Sequence, residues 1–126
     1  MKPRPLSVLE TARFDEIANT FAATRNIYLY VTNVEGQLRG AISLHDIKSY
    51  LNDPGLATLL IASEILKDDF PFLTEAGKLT DALDAFSRHD GERLPVVDRP
   101  DSMRLIGYIS KTDLLLTLAH GEMASE

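Results

Sequence analysis

Apolar residues recur at Phe14, Ile17, Ala18 and Phe21, and again at Leu79, Ala82, Leu83 and Phe86. The i, i+3, i+4, i+7 spacing predicts a helix over residues 13–25 and another over 79–90. Each member of the second set lies 65 positions after its partner in the first. The same offset aligns Leu29-Tyr30-Val31-Thr32-Asn33 with Leu94-Pro95-Val96-Val97-Asp98. Past a turn two residues longer in the second copy, Leu38-Arg39-Gly40-Ala41-Ile42-Ser43 aligns with Leu105-Ile106-Gly107-Tyr108-Ile109-Ser110. Short apolar runs bounded by turn formers predict strands over 27–32 and 37–43, then over 93–97 and 104–110. A closing helix carries Leu44, Ile47, Tyr50 and Leu51 in one copy and Leu114, Leu115 and Leu118 in the other. The chain is an internal duplication.

Neither copy has enough apolar surface partners to bury its sheet and helices alone, so an α/β fold of two repeats packed face to face is expected. Asn52-Asp53-Pro54-Gly55 stops the first closing helix and sets the boundary, giving repeats at 1–53 and 54–126. Subtracting the offset pairs Leu66-Lys67 with Met1-Lys2, which leaves the lead-in Leu59 to Ile65 without a counterpart. That lead-in reads as a short strand and turn. Its absence before the first copy predicts a chain cut from a longer one.

Composition narrows the chemistry. The 126 residues are 44% apolar and 25% charged, with a formal net charge of −6. An acidic chain repels nucleic-acid phosphates and anionic lipid, so neither is an expected partner. No cysteine is present, which excludes disulfides, thiolate nucleophiles and thiolate metal sites. No apolar run approaches the ~20 residues of a membrane span. His45, His89 and His120 form no metal-binding pair, and Ser43, His45 and Asp46 are adjacent without triad geometry. Arg88-His89-Asp90-Gly91-Glu92-Arg93 reads as a solvated helix end. No enzymatic constellation, metal site or required cofactor emerges.

Two copies of Gly-x-x-Ser-x-x-Asp stand where a strand gives way to a helix, at Gly40–Asp46 and Gly107–Asp113. On spacing alone the pattern reads first as a capping box, with the hydroxyl accepting from the third helical N–H and the carboxylate reaching back. A helix N-terminus with a hydroxyl also suits a phosphate, and a carboxylate there can accept from ribose hydroxyls. The two readings are compatible.

A tandem βαββα pair in which each copy ends on this motif resembles a CBS-domain pair, the Bateman module, over essentially the whole chain. The resemblance implies two CBS repeats related by pseudo-twofold symmetry, which bind adenosine derivatives (AMP, ADP or ATP, sometimes S-adenosylmethionine) in clefts and regulate an attached protein without catalysis. For one cleft it implies Asp113 on the ribose, Ser110 or Thr112 near the phosphates, Asn26, Ile27 and Tyr28 around the adenine, and Pro5 and Leu6 closing the site. For the other it implies Asp46 and Ser43, with Phe70, Pro71, Gly91, Glu92 and Arg93 around the base. The first copy departs from the usual pattern at Tyr30, where the second has Pro95. The Asp113 set is expected to be the better nucleotide site, because Lys111 and two hydroxyls surround it and Glu92 falls in the other set. Tyr28-Leu29-Tyr30-Val31, the segment Ala41–Lys48, Glu92–Asp98 and Gly107–Leu115 are similar to the C-terminal cytosolic region of bacterial ClC chloride channels and transporters. That narrower likeness implies an N-terminal membrane transporter and a place at the cytoplasmic face of the cell membrane; the alternatives are a free-standing CBS ligand sensor and a structural dimerisation domain with no ligand. The apolar stripes of the closing helices predict a homodimer.

Overall fold

The computed structural model describes residues 1–119, and His120 therefore lies outside the described residues. The chain forms two compact units that do not follow the order of the repeats. One consists of Leu6–Phe70; the other joins Met1–Pro5 to the chain from Pro71 onward.

In the Leu6–Phe70 unit, β1 (Ser7–Leu9) leads through α1 (Phe14–Thr24) to β2 (Tyr28–Thr32), which turns into β3 (Leu38–Ser43) and α2 (Leu44–Tyr50). The sheet order is β1-β2-β3, with β1 and β2 parallel and β2 and β3 antiparallel. Two short helices follow, α3 (Pro54–Ala57) and α4 (Ala62–Ile65). The other unit repeats the plan as β4 (Leu73–Thr74), α5 (Leu79–Ser87), β5 (Arg93–Val97), β6 (Leu105–Ser110) and α6 (Lys111–Ala119), in sheet order β4-β5-β6. The register even slips at equivalent places, between Val31 and Thr32 and between Val96 and Val97. No described helix is long and apolar enough to cross a membrane.

Helical periodicity decided the inward faces. Ile17 and Phe21 of α1 are buried, as are their equivalents Ala82 and Phe86 of α5. The first core gathers Val8, Ala12, Ile17, Phe21, Leu29, Val31, Ile42 and Ile47 with Ala62 and Ile65. The last two come from the lead-in that was expected to be a strand. It is instead a helical turn, tied down by Ala62 N–H to Ala12 O (2.9 Å) and Ser63 N–H to Glu10 O (2.8 Å). Asn52-Asp53-Pro54-Gly55 does end α2, but it also begins α3: the Asp53 carboxylate accepts from Leu56 N at 3.2 Å, with Pro54 in the first turn.

The closing helices spend much of their apolar face internally. Ile47 and Leu114 are buried and Leu44 packs on the first core. Among their described apolar residues, Leu51, Leu115 and Leu116 remain well exposed. The segment 88–93 also differs from the solvated end expected of it. The His89 side chain is 5% exposed and Gly91 is buried, while Arg88 reaches back to Asp84 at 2.6 Å. Burial pushes the His89 imidazole pKa below its ordinary 6.5, against the opposing pull of the Asp90 carboxylate.

Candidate functional site

Both Gly-x-x-Ser-x-x-Asp copies build the same local device. Ser43 Oγ accepts from Asp46 N–H at 3.0 Å, and Ser110 Oγ accepts from Asp113 N–H at 3.0 Å. Each serine thus caps its helix as the spacing predicts. The return half of the box, carboxylate to serine N–H, is not formed among the described residues. Each carboxylate faces a lysine instead: Asp46 Oδ2 lies 3.9 Å from Lys67 Nζ, and Asp113 Oδ2 lies 3.8 Å from Lys2 Nζ.

The motif glycines explain how those lysines arrive. Lys67 exchanges backbone hydrogen bonds with Ala41, at 2.9 and 3.1 Å, beside Gly40. Lys2 does the same with Tyr108, at 2.9 and 3.3 Å, beside Gly107. A Cβ added at Gly40 would collide with Lys67 O, and one at Gly107 with Lys2 O. Only glycine lets the lead-in backbone pass so close. Both ion pairs are long and largely open to solvent, so each contributes under ~1 kcal/mol. The aspartates are therefore held in place but are easily re-partnered. The two lysines were not singled out from the sequence, although Lys2 and Lys67 sit at the repeat offset.

The two helix starts differ in one respect. At α6, Lys111 N–H donates to Glu92 O at 2.6 Å. The Glu92 carboxylate then takes both the Thr112 N–H (3.0 Å) and the Thr112 hydroxyl (2.6 Å) on Oε1. Those two bonds from Thr112, hydroxyl first, hold the Glu92 carboxyl below its usual 4.5, with Lys111 and Arg93 adding to the effect. At α2, Leu44 N–H donates to Ile27 O at 2.8 Å, but Ile27 and His45 stand where Glu92 and Thr112 stand in the other unit. Among the described residues, no carboxylate bonds to that first turn as Glu92 does in α6.

The residues expected from sequence fall as follows. Asp113, Ser110, Thr112 and Pro5 belong to one unit together with Pro71, Gly91, Glu92 and Arg93; Asp46, Ser43, Leu6, Asn26, Ile27, Tyr28 and Phe70 belong to the other. Glu92, assigned with Asp46, is bonded to Thr112 of the Asp113 set. The cause is the hairpin register: Arg93 pairs with Ser110, which sets residue 92 beside the first turn of α6. Likewise Tyr28, assigned with Asp113, packs edge-on against Phe70 of the Asp46 set, with ring centroids 4.8 Å apart. Arg93 lies over the Tyr108 ring at 4.5 Å. Ser43 Oγ is committed to the Asp46 N–H, and no hydrogen bond joins it to His45 among the described residues. A cavity of about 110 Å³ opens beside Asp113, lined by Met1, Leu79, Ile109, Leu114 and Thr117.

The CBS domain family model matches residues 1–53 and 62–120. No curated protein matches the sequence. Among solved structures, a CBS domain pair/ACT domain protein from Thermotoga maritima is 27% identical, with a TM-score of 0.75 over 94% of this chain and 92% of that one. CBSX2 in complex with AMP is 20% identical, with a TM-score of 0.77 over 97% and 94%. The cytosolic domain of the Mg2+ channel MgtE in complex with ATP is 25% identical, with a TM-score of 0.73 over 91% of this chain and 45% of that one.

Proposed function

The chain belongs to the CBS domain family, and on that footing we propose that it is a non-catalytic regulatory module that senses an adenine nucleotide. The observation that carries the reading is the duplicated grouping of a capping serine, a half-buried aspartate and a lead-in lysine at the start of α2 and of α6. An aspartate held only by an exposed lysine can exchange that partner for a pair of ribose hydroxyls, and the freed ammonium is then available to phosphate oxygens. Asp113, Ser110 and Thr112 supply one such site and Asp46 and Ser43 the other. AMP bound to CBSX2 and ATP bound to MgtE support an adenosine-type ligand here.

Regulation follows from differential binding. A nucleotide that prefers one arrangement of the module shifts its population, and an attached protein responds. We propose an ion transporter as that attached protein. The cytosolic MgtE domain supports the general class, and the ClC-like texture of both repeats supports a chloride transporter within it. The exposed Leu51, Leu115 and Leu116 offer apolar surface for pairing with a second copy.

Calorimetric titration with AMP, ADP and ATP tests the sensing role. Binding should weaken roughly ten- to a hundredfold when both Asp46 and Asp113 are changed to alanine, the worth of a charge-assisted hydrogen bond. Undiminished binding in that double variant, with the fold intact by circular dichroism, removes the aspartates from the site.

A further inference from the structure

Taking Asp113 as a ribose acceptor, as proposed above, we infer that Glu92 is the specificity-determining residue at the start of α6. Its carboxylate occupies the place a phosphate would take, so this site favours adenosine derivatives that carry no negative charge on the 5′ side.

A helix start attracts anions through its free N–H groups and its dipole. In α6 the first three N–H groups are already used: Lys111 donates to Glu92 O, Thr112 to Glu92 Oε1 and Asp113 to Ser110 Oγ. The Thr112 hydroxyl, a side-chain donor that could have turned to a phosphate, also donates to Glu92 Oε1. A phosphate arriving at this turn meets a carboxylate, finds the N–H groups of the turn engaged, and must displace Glu92 to reach them. Lys111 and Arg93 lie near enough to favour the ionised form of Glu92, and Lys2 is drawn to Asp113 rather than to Glu92. A neutral 5′-hydroxyl meets no such opposition. Glu92 Oε2 makes no hydrogen bond among the described residues, and a 5′-hydroxyl, which both donates and accepts, can pair there with the carboxylate or with the amide NH2 of Glu92→Gln.

The test is calorimetric titration of the full chain with adenosine and with AMP, in an Asp46→Ala background so that only the Asp113 site reports. Glu92→Gln removes the charge and keeps a carbonyl for Thr112, and thermal melting confirms that the fold is retained. With Glu92 present, adenosine should bind more tightly than AMP. In Glu92→Gln the AMP affinity should rise about tenfold while that for adenosine changes less than about twofold. Glu92→Ala, which removes charge and cap together, should move AMP in the same direction. Three results overturn the role of Glu92: AMP binding the parent as tightly as adenosine, both ligands shifting equally, or a gain for AMP in the alanine variant alone. If neither ligand binds any of the proteins, the ribose-site reading of Asp113 falls, and the role of Glu92 with it.

Discussion

Helices α2 and α6 leave equivalent strands, carry equivalent serine caps and face equivalent lysines, yet their first turns present different surfaces to an incoming ligand. In α6 a carboxylate from the far side of the hairpin is folded onto the turn; in α2 the same positions hold Ile27 and His45. The interiors diverge as well. Phe14 and Tyr50 meet edge-on at 6.2 Å across α1 and α2, whereas Leu79 and Thr117, at the same places, line a cavity. Duplication preserved the backbone device and left the side chains around it free to specialise. One copy is better packed, and the other has its anion-attracting end already occupied.

The largest effect should come from the motif glycines. Gly40→Ala drives a Cβ into the Lys67 backbone within a continuous segment, at a cost of about 3 kcal/mol in urea unfolding. Gly107→Ala makes the same collision with Lys2, but Met1–Pro5 forms no helix or strand and pairs its backbone through the Lys2–Tyr108 bridge, whereas Lys67 follows closely on α4, so the cost should be only about 1 kcal/mol. Equal costs would show that Met1–Pro5 is held as firmly as the lead-in to the other unit. Next, Phe14→Leu with Tyr50→Thr gives the first unit the side chains of the second. Loss of the ring contact and of burial should cost about 2 kcal/mol by thermal melting. Smaller still, Ser43→Ala should cost about 1 kcal/mol and Ser110→Ala about half that, because Glu92 continues to hold the first turn of α6.

The smallest difference is one of pH. His89 has its imidazole pKa lowered by burial, and its counterpart in the first copy is Thr24. The unfolded chain therefore binds the proton more readily than the folded one. Stability should fall as pH drops below 6.5 and continue to fall down to the depressed native value. In His89→Thr the part of that fall due to this group should vanish, as read from melting temperature against pH. An unchanged slope would mean that other groups govern this range.

Much of the fold was legible because two signals agreed at one offset. The stripe at Phe14–Phe21 and its echo at Leu79–Phe86 fixed α1 and α5 to within a few residues, and the strand pairs followed. The lead-in Leu59 to Ile65 misled because seven mostly apolar residues carry too little periodicity to separate a buried strand from a helical turn. Its burial of Ala62 and Ile65 is a tertiary fact. The caps were readable from spacing, being local. The lysine partners were not, since a bridge between Lys2 and Tyr108 joins residues at opposite ends of the chain. Glu92 lay between these cases: its neighbour Thr112 follows from hairpin register, but only once Arg93 is known to pair with Ser110.

That exchange of lead-in segments also orders the making of the protein. Every contact described for the Leu6–Phe70 unit lies within one uninterrupted stretch, so it can close as soon as residue 70 is available. The other unit needs both ends of the chain, because Lys2 must wait for Tyr108 before its two backbone bonds can form. During synthesis from the N-terminus, the first unit is complete while the second lacks its strands and helices. Residues Met1–Pro5 therefore wait longest for their partner, and the loop closed by Lys2 and Tyr108 is wider than any described for the Leu6–Phe70 unit. A substitution that weakens the Lys2–Tyr108 bridge would thus burden the late step and leave the early one untouched.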